Sequence, residues 1–177
     1  SEVHLLSMVR HGSGVTLAQK QIGEGSSEIP ALRELLAGRD LSGAVITADA
    51  LHTQHATAQQ ILDQHGDYLM IVKENQPTLY AHIKTFVEGT YLPQEDDRDT
   101  CTRFGKHHGR LETRTLTCSA GLSGYLDWPG AQQVARRECL RTSTKSGKAS
   151  HKVTYAVTSL DRQRAGARSL EALWREH

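Results

Sequence analysis

Between residues 28 and 88 the apolar positions change period repeatedly, and this alternation limits the fold more than any other feature of the chain. EIPALRELLAG (28–38) places Ile29, Leu32, Leu35 and Leu36 on one helical face, with Pro30 in the first turn and Gly38 as a stop. GAVITA (43–48) then reads as a buried strand that runs directly into Asp49. A second helix is expected over about 53–65, ended by His65-Gly66, and DYLMIVKE (67–74) is a short apolar run suited to a buried parallel strand. Asn75-Gln76-Pro77 opens a third helix, in which Leu79, Ile83, Phe86 and Val87 share a face. Ahead of these elements, EVHLLSMV (2–9) and VTLAQKQIG (15–23) flank the turn His11-Gly12-Ser13-Gly14 as a hairpin would. The order β-β-α-β-α-β-α predicts an α/β fold whose mixed sheet has an antiparallel start and a parallel remainder.

An acidic loop, QEDDRDT (94–100), separates this half from a strand-rich one. CTRFGKHHGRLETRTLTCS, AQQVARRECLRT and HKVTYAVTSL read as strands, and SLEALWREH closes the chain as a helix. The net charge of +1 conceals an asymmetry between the halves. Residues 1–97 hold six Lys/Arg against thirteen Asp/Glu, whereas residues 98–152 hold eleven against four. The basic segment is either a solvated face or a footprint for a polyanion such as nucleic acid. No apolar run approaches the ~20 residues that cross a bilayer, and the N-terminus lacks the basic start and apolar stretch of a signal peptide. Cys101, Cys118 and Cys139 are odd in number and widely spaced, which fits a reducing cytoplasm better than a disulfide framework.

Chemistry is expected where a buried strand ends, because open α/β sheets place reactive groups there. Asp49 is such a residue. It is either a carboxylate for Mg²⁺, which favours one or two carboxylates plus water and phosphate, or a helix N-cap or strand-end loop residue. His52 and His55 are spaced to seat one metal, but no third ligand is nearby in the sequence, so surface roles compete. In HHGRLETR (107–114), Arg110, Glu112 and Arg114 alternate and would share one face of a strand. Glu112 is then either a salt-bridged spacer between arginines or a group that orients them or reaches a metal. Lys106, His108, Arg110 and Arg114 are candidate phosphate contacts. No P-loop, Rossmann glycine motif or serine-nucleophile elbow is present, which argues against a nucleotide cofactor.

Four ordered stretches, SSEIPALRELL, GAVITADALHTQ, GDYLMIVKENQPTL and HGRLETR, together resemble the H-repeat-associated branch of the DDE transposases of bacterial insertion sequences. The resemblance covers nearly the whole chain. It implies a ribonuclease H-like mixed sheet with flanking helices and a β-rich insertion, with residues 1–93 as a partial catalytic core, 94–160 as the basic insertion and 161–177 as the start of the closing core helix. It also implies cleavage and transfer of DNA strands at transposon ends by two Mg²⁺ or Mn²⁺ ions held on three carboxylates. Asp49 matches the second of the three, and Lys73, Asn75 and Gln76 match a K-x-N-Q motif near the metal site and the DNA. The family's first Asp precedes the segment equivalent to Val3–Met8 on a central strand, and its third carboxylate follows the equivalent of LWREH. By this alignment the chain keeps one of three ligands and lacks the middle strand of its sheet, with Glu112 as a fallback ligand. Two readings follow: a transposase fragment, and a catalytically inactive DNA-binding remnant. The resemblance further implies a cytoplasmic protein that joins the nucleoid when acting, with a homodimer as its candidate assembly.

Overall fold

The computed structural model describes residues 4–22, 28–89, 97–107 and 109–175. Its strands are β1 (His4–Val9), β2 (Thr16–Ile22), β3 (Val45–Ala48), β4 (Asp67–Val72), β5 (Arg98–His107), β6 (Arg110–Ser119), β7 (Gln133–Ser143) and β8 (Ala149–Thr158). Its helices are α1 (Glu28–Leu36), α2 (His55–Asp63), α3 (Pro77–Glu88) and α4 (Ala167–Arg175). Six strands form one mixed sheet in the order β3-β4-β8-β7-β6-β5, and only the β3–β4 pair is parallel. The expected acidic loop falls mostly outside the described residues.

The sheet separates two cores because its side chains alternate between its faces. On one face Tyr68, Met70 and Val72 of β4 and Tyr155 and Val157 of β8 pack against Leu36 of α1, Ile61 of α2 and Ile83 of α3. On the other, Leu69 of β4, Leu116 and Cys118 of β6 and Ala156 of β8 pack against Leu170 and Trp174 of α4. Tyr68 is fully buried, and its hydroxyl donates to the Pro129 carbonyl at 2.6 Å. Burial pushes the Tyr68 phenol well above its ordinary range and the Cys118 thiol up to about 12, so neither ionises near neutrality.

The helices and strands follow the expected order, but the sheet departs from expectation at its start. The hairpin β1–β2 is a separate two-stranded ribbon rather than the antiparallel beginning of the main sheet. The reason is geometric: β1 faces β3 across a groove of about 970 Å³, lined by Leu6, Met8, Ile46 and Ala48 among others. The facing edges of β1 and β3 have no strand partner among the described residues. The groove therefore has backbone edges on both sides, each able to accept a strand.

Helix α2 ends in a Schellman turn. His65 N–H donates to Leu62 O and Gly66 N–H to Ile61 O, both at 2.9 Å, with His65 in the left-handed region at φ 65°. A glycine fits this conformation without steric cost. His65→Gly is expected to stabilise the chain by about 0.5–1 kcal/mol, read as an upward shift of the thermal midpoint. Gly66→Ala is expected to lower it, because a Cβ there would lie 2.7 Å from Leu41 Cβ.

Candidate active site and nucleic-acid interface

The two parallel strands end side by side, and their following loops are locked to each other. Thr53 Oγ1 lies 2.9 Å from Asp49 O and 2.6 Å from Ile71 O, so one buried hydroxyl spans both strand ends. Asn75 Nδ2 donates to Ala50 O at 2.5 Å, and Gln76 Nε2 donates to Thr53 O at 2.9 Å. Asn75 and Gln76, expected near DNA, thus use their amides to hold the loop that presents Asp49. Lys73, from the same motif, is exposed beside that loop.

Asp49 itself is exposed. Its Oδ1 accepts from the backbone N–H groups of Leu51 at 3.0 Å and His52 at 3.2 Å. These bonds close the turn after β3 through one carboxylate oxygen; helix α2 begins later, with Gln54 as its N-cap, so Asp49 is a strand-end loop residue and not the cap of that helix. The cost of burying a charge at the end of a core strand is avoided because the carboxylate faces the groove next to β1 and solvent. His52 and His55 diverge: His52 Nε2 is 3.4 Å from Glu28 Oε2, and the His55 ring stands edge-on to Trp128 at 5.9 Å. The two histidines do not converge on one ion.

A second charged constellation lies on the α4 face of the sheet. Glu112 sits opposite Arg141 in the β6–β7 register. It meets Arg141 Nε at 2.7 Å and Arg114 Nε at 3.0 Å. The hydrogen bond from Arg141 holds the Glu112 carboxyl below its usual range. Glu171 of α4, with no exposed surface, lies 3.1 Å from Arg137 Nε and 3.8 Å from Arg114 Nε. The Arg137 guanidinium lies 5.5 Å from the centre of the Trp174 ring, a cation–π distance. Both of Glu112's oxygens are engaged by arginines. It also stands four strand spacings from Asp49, roughly 19 Å across the sheet, too far to share an ion.

The remaining candidate contacts divide by face. Arg110 is exposed on the Glu112 face, whereas Lys106 pairs with Leu111 and points to the opposite one. His108 lies outside the described residues. Sequence reading missed Arg137, Arg141, Lys152 and Trp174, although the period of two it used on RLETR applies equally to RRECLR and would have set Arg137 and Arg141 side by side on one face.

For a metal, the donor set fits a single carboxylate contact. Asp49 offers one oxygen, and no group of three or more His, Cys, Asp or Glu among the described residues could enclose an ion. Mg²⁺ tolerates this, since it commonly keeps several waters and takes its other ligands from substrate phosphate.

The strand-end aspartate lies beside a groove and shares the sheet with a basic face, and the chain is similar to known proteins over nearly its whole length. A family model described as "Transposase DDE domain" matches residues 2–175. The chain belongs to this transposase family. Its mixed sheet with helices on both faces is accordingly ribonuclease H-like. Among curated relatives, "H repeat-associated putative transposase YhhI" of Escherichia coli is 30% identical over 171 residues, covering 90% of this chain and 43% of that protein. "Uncharacterized protein in dhlA 3'region" of Xanthobacter autotrophicus is 30% identical over 142 residues, covering 78% of this chain and 48% of the relative. "H repeat-associated putative transposase YbfD" of Escherichia coli is 35% identical over 114 residues, covering 63% and 44%. The chain thus spans less than half the length of these curated relatives. No helix among the described residues is long and apolar enough to cross a membrane.

Two outcomes test the charged constellation. Glu171→Ala leaves Arg137 beside Trp174 without its buried partner and is expected to cost about 3 kcal/mol in chemical denaturation. Glu112→Gln is expected to cost about 1 kcal/mol at neutral pH. Because the folded-state pKa of Glu112 is depressed, its contribution is complete above the unfolded value of about 4.5 and is lost as pH falls through the lower folded value. The gap between wild type and Glu112→Gln should therefore narrow below about pH 4.5.

Proposed function

We propose that this chain forms part of a DNA-strand cleavage and transfer site, in which Asp49 holds a divalent cation at an insertion-sequence end. The observation that carries this reading is the state of Asp49: exposed, aligned by two backbone N–H groups through one oxygen, and mounted on loops that Thr53, Asn75 and Gln76 lock together. A catalytic carboxylate needs such preorganisation, because small displacements of a reacting group cost large factors in rate. When bound, Mg²⁺ or Mn²⁺ would activate the attacking hydroxyl and stabilise the leaving oxygen of the phosphodiester. The chain's own residues orient the carboxylate, and the basic face from Lys73 across to Arg110 attracts the DNA backbone.

The groove between β1 and β3 supports the same reading. A further strand seated between those two free edges would run beside Asp49, where the family resemblance expects another carboxylate. Leu173 of α4 lines the same groove, so the end of that helix also approaches Asp49. The partner is DNA, with a homodimer bridging paired ends and no nucleotide cofactor, in a cytoplasmic protein that works at the nucleoid.

A second reading, a DNA-binding remnant without catalysis, is favoured by the lack of a three-ligand cluster among the described residues. One assay separates the two: nicking of a labelled insertion-sequence end in Mn²⁺ by wild type and Asp49→Asn. Nicking by wild type that Asp49→Asn abolishes supports the cleavage site. Salt-sensitive DNA binding by both proteins with no nicking supports the remnant. Nicking that survives Asp49→Asn, or no affinity for DNA at low salt, contradicts both.

A further inference from the structure

On the α4 face of the sheet a cavity of about 200 Å³ lies beside Trp174, bounded by strands β4, β8 and β7. Lys73, Arg137, Arg141, Lys152, Thr154 and Trp174 line it. Register explains why they meet. Lys152 pairs with Cys139 and Thr154 with Arg137 across β7–β8, and the alternation of β7 puts Arg141 on the same face.

The charge of this cavity is only partly compensated. No carboxylate among the described residues lines it. Glu112 and Glu171 lie behind it and neutralise part of the group formed by Arg114, Arg137 and Arg141. Counting Lys73 and Lys152, five cations face two acids, a net charge of +3. Lys73 and Lys152 have no ion-pair partner among the described residues. Glu112 occupies only Nε of Arg141, which leaves both terminal amino groups of that guanidinium for a ligand. A concave, low-dielectric site of one sign focuses its field on an anion. At this volume the cavity is below the ~300 Å³ at which pockets for larger organic ligands begin, and it suits a single phosphate group.

A second cavity, of about 510 Å³, shares Lys73, Lys152 and Thr154 with the first and extends to Ala50 and Leu51, next to Asp49. The second cavity reaches round to the α3 face of the sheet, where Tyr80 and Tyr155 line it, and the shared residues form the rim between the two. Lys152 on β8 is two strand spacings from β3, about 10 Å across the sheet.

We propose that the cavity between Lys73, Lys152, Arg141 and Trp174 seats a backbone phosphate of the DNA strand, a few nucleotides from the bond presented to Asp49. Trp174, fixed by the Arg137 guanidinium above it, forms the wall against which the adjoining sugar packs. This assignment rests on the reading of the chain as a DNA-handling protein, and its test separates the two.

The test measures binding of a fluorescent single-stranded oligonucleotide by anisotropy over a range of salt concentrations. The proteins compared are wild type, Lys152→Ala, Lys152→Arg, and Arg33→Ala on α1 at the opposite side of the sheet. Each lost phosphate contact lowers the salt slope by about 0.7 for single strands, equivalent to about a fivefold loss of affinity at 0.1 M salt. Lys152→Ala should show both changes, Lys152→Arg should restore them, and Arg33→Ala should match wild type. Wild-type binding with an unchanged slope in Lys152→Ala overturns the cavity while leaving the DNA reading intact. Absence of wild-type binding at low salt overturns the DNA reading and the cavity's occupant together. Displacement of the oligonucleotide by inorganic phosphate at equal total phosphate would reassign the cavity to a free anion and overturn the proposal.

Discussion

The pairing of β4 with β8 holds the molecule together. Leu69, Met70, Ile71 and Val72 face Thr158, Val157, Ala156 and Tyr155, and these four antiparallel pairs are the sheet's sole link between the α/β half and the β-rich half among the described residues. The join is secured by buried hydrogen bonds at one end: Thr158 Oγ1 donates to Tyr68 O at 2.6 Å, and Tyr68 N–H donates to Ser159 Oγ at 3.0 Å. Ser159 in turn donates to Asp67, which is also clamped by Arg164. Because the sheet is continuous, the end of β3 that carries Asp49 and the cationic side chains of β7 and β8 occupy one rigid surface. The proposed site, which would hold a metal and a DNA backbone in fixed relation, would depend on that continuity.

The same pairing divides the labour between the two faces of the sheet. The face under α1, α2 and α3 is almost wholly apolar and supplies stability through Tyr68, Met70, Ile83 and Val157. The α4 face is apolar only near Leu116, Cys118 and Leu170, and becomes charged toward Arg137, Arg141 and Lys152. Glu171 marks the boundary. It allows arginines to lie against a packed helix because a buried guanidinium needs a carboxylate partner to offset its desolvation. The helix that completes the core thereby also sets the position of the basic cavity.

Much of this was legible in the sequence because it depended on local periodicity. The helix of EIPALRELL and the strand of DYLMIV follow from spacing alone, and the alternation in RLETR put Glu112 on one face with Arg114, though not beside Arg141, its partner across the β6–β7 pair. What spacing could not supply was long-range pairing. Nothing in HKVTYAVTSL announces that it lies beside DYLMIV, more than eighty residues earlier, rather than staying within a separate β-rich unit. The detachment of the β1–β2 ribbon was hidden for the same reason, since it turns on which strand lies between β1 and β3. Asn75 and Gln76 were expected at DNA, yet their amides reach backbone carbonyls of the neighbouring loop, a contact visible only once β3 and β4 are placed side by side.

In the proposed site the exposed oxygen of Asp49, and no carboxylate elsewhere on the sheet, would receive the divalent cation. Mn²⁺ broadens the NMR signals of nearby nuclei, and the amides of Leu51 and His52 lie within hydrogen-bonding distance of Asp49. Titration with Mn²⁺ should therefore erase the Leu51 and His52 amide signals first in the wild-type chain and leave them intact in Asp49→Asn. Equal broadening of these signals in Asp49→Asn, or broadening centred on Glu112 and Arg141, would contradict the account.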